Sequence, residues 1–123
     1  MDKKQALKAA AHDIFSKTGY KATGISEIAK QAGVAVGSFY NYYDSKEAIF
    51  LDVYVDENNR VRQAMINEID WGMDMVELVS QIFRRSRSYV SSNKILPIER
   101  ALVPKFGNES SIGLYLFWNG TIL

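Results

Sequence analysis

Gly37, Ser38, Tyr40, Asn41, Tyr43 and Lys46 fall close together in the stretch AVGSFYNYYDSKEA, residues 35–48. Their side chains offer hydroxyl, amide, phenol and ammonium groups, while glycine and serine leave room for another molecule to come close. That is a set for hydrogen bonding to a polar, anionic surface rather than for breaking bonds. A helix entering a DNA major groove needs small residues where its backbone comes nearest, polar tips toward base edges and phosphates, and an apolar back. Gly37 and Ser38 suit the front, and Val36 and Phe39 suit the back. Tyr40, Asn41 and Tyr43 lie within one turn of each other. Lys46, at a predicted helix start, adds charge to backbone amides that already favour anions. The plainer alternative is packing. Phe39 is read as core, and Tyr42 and Tyr43 stand open between core and contact.

These residues must be positioned by helices. Leu7, Ala10, Ala11, Ile14 and Phe15 keep the spacing of one helix face and predict a helix over about residues 3–18, stopped at Gly19. Ile25, Ile28, Ala29 and Ala32 predict a second, short helix closed by Gly33. Val36, Phe39, Tyr40 and Tyr43 repeat at three and four directly afterwards. Short helix, glycine turn, short helix is the helix-turn-helix pattern. Asp44 or Ser45 offers an N-cap for a fourth helix, and Asp44 with Glu47 has the spacing of a capping box. Phe50, Tyr54, Val61, Met65 and Ile69 carry its seam through residues 46–69, interrupted at Asn58, with a break at Trp71 and Gly72. Met75, Val79, Ile82, Phe83, Tyr89 and Val90 predict a fifth helix across 73–91. Beyond it, Pro97 and Pro104 bracket a short helix over 97–103, and the apolar run Ile112–Trp118 fits either a helix or a strand.

The chain of 123 residues is 47% apolar and 24% charged, the balance of a folded protein and not of a disordered one. It has no cysteine, which removes disulfides and thiolate metal sites. Its one histidine, His12, lies in the first helix, and no cluster with metal spacing, catalytic triad or phosphate-cradling glycine loop accompanies it. An enzyme is therefore not expected, nor is a metal or other cofactor. No apolar run is long enough to span a bilayer or to act as a signal-peptide core, so the expected location is cytoplasmic. The net charge of +1 conceals a gradient: residues 1–47 hold seven lysines against five acids, whereas residues 48–70 hold five acids against Arg60 and Arg62. The N-terminal third is the end suited to an anionic partner.

From residue 6 to residue 50 the chain reads ALKAAAHDIFSKTGYKATGISEIAKQAGVAVGSFYNYYDSKEAIF. The pattern of its first helix, Thr23, Ile28-Ala29, Ala32-Gly33-Val34, Gly37-Ser38-Phe39-Tyr40 and Lys46-Glu47 together resemble the tetracycline-repressor (TetR) family of bacterial transcription regulators. The resemblance implies an all-α fold, with a three-helix DNA-binding head over residues 1–45 and a long linking helix that opens a partial helical regulatory and dimerisation domain over 46–123. It implies that Thr23, Gly37, Ser38, Tyr40 and Lys46 meet DNA, mostly its phosphates, and that Val36 and Asn41 vary with operator sequence. Tyr43 is expected to join them on the backbone. The implied partners are a palindromic double-stranded operator, a small-molecule effector that releases it, and a second copy of the chain. Where the family often has Ser or Thr before the recognition helix this chain has Ala35, so a side-chain N-cap is missing. The chain is also short for the family. The rival expectation is thus a truncated helical interaction or ligand-sensing fragment that does not dimerise.

Overall fold

The computed structural model describes residues 2–96, which form five α-helices and no strand: α1 Lys3–Thr18, α2 Ile25–Ala32, α3 Val36–Phe39, α4 Lys46–Glu68 and α5 Met75–Ser91. The expected elements at 97–103 and 112–118 lie outside the described residues. The chain divides into two compact units, the first ending at Val55 and the second beginning at Asp56, so the division falls within α4.

In the first unit, α1 starts where the Asp2 carboxylate accepts the Gln5 N–H at 2.8 Å, and it ends as Gly19 donates to the Phe15 carbonyl. Its buried residues are Leu7, Ala10, Ala11, Ile14 and Phe15, the stripe that the sequence spacing predicts. Helix α2 ends in a Schellman motif. Gly33 donates to Lys30 O and Val34 to Ala29 O, with Gly33 at φ 71°, a left-handed conformation that glycine adopts without a Cβ penalty. Ile28, Ala29, Phe39, Ile49, Phe50, Val53 and Tyr54 complete the core. Phe50 sits at its centre, with ring centroids 5.1 Å from Phe15 and 4.9 Å from Tyr20, both edge-on. Such pairs add roughly 0.5–1.5 kcal/mol each beyond the area they bury.

The N-cap of α4 is Ser45, whose Oγ accepts the Ala48 N–H at 3.1 Å. With Ser45 as cap, Ala48 takes the third helical position and Glu47 the second, so the Asp44–Glu47 capping box does not form.

In the second unit, α4 runs unbroken through Asn58, the polar residue that interrupts its apolar seam. Glu57 and Asn58 are both buried, between the apolar positions Tyr54 and Val61. The Glu57 carboxylate accepts from Arg60 and from Asn93 Nδ2. The Asn58 amide has no hydrogen-bond partner among the described residues. Helix α5 begins at the Asp74 cap, which accepts the Glu77 N–H, and it keeps part of the expected seam, with Ile82, Phe83, Tyr89 and Val90 half-buried. Met75 and Val79 are exposed, whereas Gln81 and Ser86 are buried. The reason is polar: Gln81 Oε1 accepts the Asp70 N–H at 3.1 Å and so closes the turn between α4 and α5, while Ser86 Oγ lies 3.4 Å from Met65 Sδ. No helix among the described residues is long and apolar enough to cross a membrane.

Candidate nucleic-acid interface

Helix α3 is a single turn. Ala35 is its extended N-cap residue and makes no side-chain cap bond. Gly37 lowers helix propensity, and the aromatic and Asn residues that follow add little. The chain therefore continues from α3 in tighter bonds, Asn41 N–H to Ser38 O and Tyr42 N–H to Phe39 O, rather than as the longer helix implied near 36–42. Phe39, fully buried, fixes this turn to the core, with Tyr40 edge-on to its ring at 5.3 Å. The sequence pattern gives Val36 a share of that apolar back. Instead Val36 is 43% exposed, although it lies three residues before the buried Phe39.

The outward surface consists of Val36, Gly37, Tyr40 and Asn41, with Ser38 half-buried beside them. Five of the eight site residues expected from sequence thus share one exposed segment. A Cβ built at Gly37 would meet no atom within 4 Å, and its φ is not positive. Neither packing nor backbone geometry within the described residues demands glycine there. The open space over Gly37 is what a second molecule approaching the backbone would require.

The other three have their polar ends engaged within the first unit. Thr23 is 2% exposed, and its hydroxyl donates to Gly19 O at 2.7 Å and pairs with Thr18 Oγ1 at 2.9 Å. The Lys46 ammonium donates to the carbonyls of Tyr20 and Thr23, each at 3.0 Å, and lies 4.2 Å from the centroid of the Tyr20 ring. It ties the turn after α1 to the start of α4. Tyr43 is 7% exposed, and its hydroxyl donates to Asp52 Oδ2 at 2.6 Å. The other oxygen of Asp52 lies 3.3 Å from Lys8 Nζ, and Lys4 Nζ lies 5.5 Å from the Tyr43 ring centroid. Lys8, Asp52 and Tyr20 carry no signal in the sequence, since no period or motif links α1, the turn at 40–43 and α4.

Elsewhere on the first unit the Asp13 carboxyl is held below its ordinary pKa, first by the Gln31 amide and then by the Lys17 ammonium, which both bond to it. Among the described residues no group of three His, Cys, Asp or Glu side chains has the arrangement of a metal site. The exposed segment can hydrogen-bond through Tyr40 and Asn41 and stack through the Tyr40 ring.

Residues 7–53 match the sequence profile of the bacterial regulatory proteins of the tetR family. The HTH-type transcriptional regulator YdgC of Bacillus subtilis is 48% identical over 61 residues, half of this chain and 31% of that protein. The fatty acid metabolism regulator protein of the same organism is 28% identical over 89 residues, 72% of this chain and 46% of that protein. The chain thus spans between about a third and a half of the length of these curated relatives. In fold it is similar to the fatty acid degradation regulator FadR of Bacillus halodurans, with a TM-score of 0.61 at 20% identity, covering all of this chain and 65% of that one. FadR of Bacillus subtilis, solved with stearoyl-CoA, gives a TM-score of 0.61 at 24% identity over 91% of this chain and 64% of that one. The match to the tetR family of bacterial regulatory proteins thus falls on residues 7–53, the N-terminal helices that hold the candidate interface.

Proposed function

We propose that the chain is a sequence-specific DNA-binding transcription regulator that reads the major groove with α3 and the turn after it. The observation that carries this reading is Gly37, placed on an exposed helix where a side chain would touch nothing. Glycine in a helix costs about 0.5–1 kcal/mol against alanine, so its place here answers to a partner rather than to the fold. Val36 and Asn41 face base edges, and Ser38 and Tyr40 face the sugar-phosphate backbone. The N-terminal end of α4 carries the positive pole of the helix dipole, which favours a further phosphate. Lys46 and Thr23 serve that contact by fixing the turn beside it. The regulator acts as a repressor and works in the cytoplasm, where its DNA is.

A single head covers one half-site and makes few contacts, so effective control requires two chains on a palindromic operator. A small molecule bound by the second unit releases them by favouring a conformation whose heads no longer match the DNA. The fatty-acid regulators among its relatives favour an effector with an acyl chain.

The test is titration of the purified chain onto DNA from upstream of its own gene, at two salt concentrations with unrelated competitor, reading bound mass as well as affinity. Salt-sensitive, competitor-resistant binding by two chains per site is the expected result. Binding wholly lost to competitor would sink the reading. Two substitutions refine it. Gly37→Ala should weaken specific binding at least about tenfold while leaving stability unchanged or about 0.5–1 kcal/mol higher. Tyr40→Phe should weaken binding with no effect on unfolding.

A further inference from the structure

We propose that Asp52 is a positioning residue for the DNA-reading turn, acting through the Tyr43 hydroxyl and the Lys8 ammonium; this rests on the functional reading above. One uncapped turn of helix does not set its own orientation, because nucleation is unfavourable and α3 stops before propagation repays it. The direction of residues 36–41 is therefore fixed by what holds the chain on either side. On the N-terminal side that is the Schellman motif at Gly33 and Val34. On the C-terminal side it is Tyr43, the last residue of the turn, whose ring lies 5.9 Å from that of Phe39.

Packing of two rings resists separation but tolerates sliding. The hydroxyl removes that freedom: it reaches Asp52 Oδ2 at 2.6 Å, while Asp52 Oδ1 lies 3.3 Å from Lys8 Nζ. One carboxylate thereby joins three elements, with Lys8 from α1, Tyr43 from the reading turn and Asp52 from α4. Hydrogen bonds to an ionised acceptor are shorter and stronger than neutral ones, and they are directional in a way that ring packing is not.

Charge distinguishes positioning from contact. An acidic residue near DNA repels phosphate, so if Asp52 acted only through its charge, Asp52→Asn would tighten binding and steepen its salt dependence. Positioning requires the opposite: weaker binding to operator DNA at an unaltered salt slope, because no phosphate contact is lost. Tyr43→Phe keeps the ring and removes the bond, and should reproduce the effect.

The experiment compares the full chain with Tyr43→Phe, Asp52→Asn and the double variant. It measures binding to DNA from upstream of the gene and to unrelated DNA, together with hydrogen exchange at the amides of residues 41–43. Each single variant should lose about three- to tenfold in operator affinity, with the double variant no worse than either. Affinity for unrelated DNA should hold, and the three amides should exchange faster. Operator binding that stays the same or tightens, losses that add, or unchanged exchange would overturn the positioning role alone. Absence of specific binding by the unaltered chain overturns the functional reading itself. Should Asp52→Asn fail to fold, Tyr43→Phe decides, since it preserves the packed volume.

Discussion

Lys46 shows how a cation beside a candidate interface can serve the fold. Its ammonium bonds to two carbonyls of the turn after α1, both far upstream in the chain, and lies over the Tyr20 ring. Lys46→Met keeps much of the stem and removes three favourable contacts. Urea unfolding should show a loss of about 1 kcal/mol for this partly exposed group. The sequence supports a phosphate contact for Lys46 because it sits at a helix start, and it contains nothing that reveals those carbonyls. Tyr43 is similar: its spacing is compatible with either core or contact, and the choice is made by a carboxylate on another helix. For Gly37 the residue type suits a close approach by another molecule, and the structure leaves the position exposed.

At the scale of elements, the apolar periodicity of α1 and α2 and the stops at Gly19 and Gly33 were legible, because each is written locally in residue type. Helix α5 was so only in part. Its apolar pattern favours Met75 and Val79 as inward residues, yet they are exposed, and Gln81 and Ser86 are buried instead. Side-chain hydrogen bonding to the turn before it outweighs the pattern. Gln81→Ala should therefore destabilise the chain by about 1–3 kcal/mol, since it leaves the Asp70 N–H unpaired. Val76→Lys, on a residue 77% exposed, should change stability by less than about 0.5 kcal/mol. Comparison of the two by chemical denaturation checks which positions of the helix face inward. Helix α3 offers an opportunity of the opposite sign. Ala35 already has the extended backbone of an N-cap, so Ala35→Ser should add the missing bond and raise stability by about 1 kcal/mol in thermal unfolding.

For the molecule as a whole, the family resemblance was legible in the first unit because its helices and turns are encoded within short windows, and the family match falls on residues 7–53. The second unit depends on polar contacts between separated positions, such as Glu57 with Asn93, and these leave no periodic trace. The same contrast divides stability from use. Two positions in and beside α3 fall short of what the fold would accept, one for want of a cap and one for want of a Cβ. Selection for heat tolerance alone would favour alanine at position 37, since nothing within the described residues opposes it. On the proposed reading, such a chain would hold its fold at higher temperature while losing operator affinity, a loss that no assay of expression level or melting point would register.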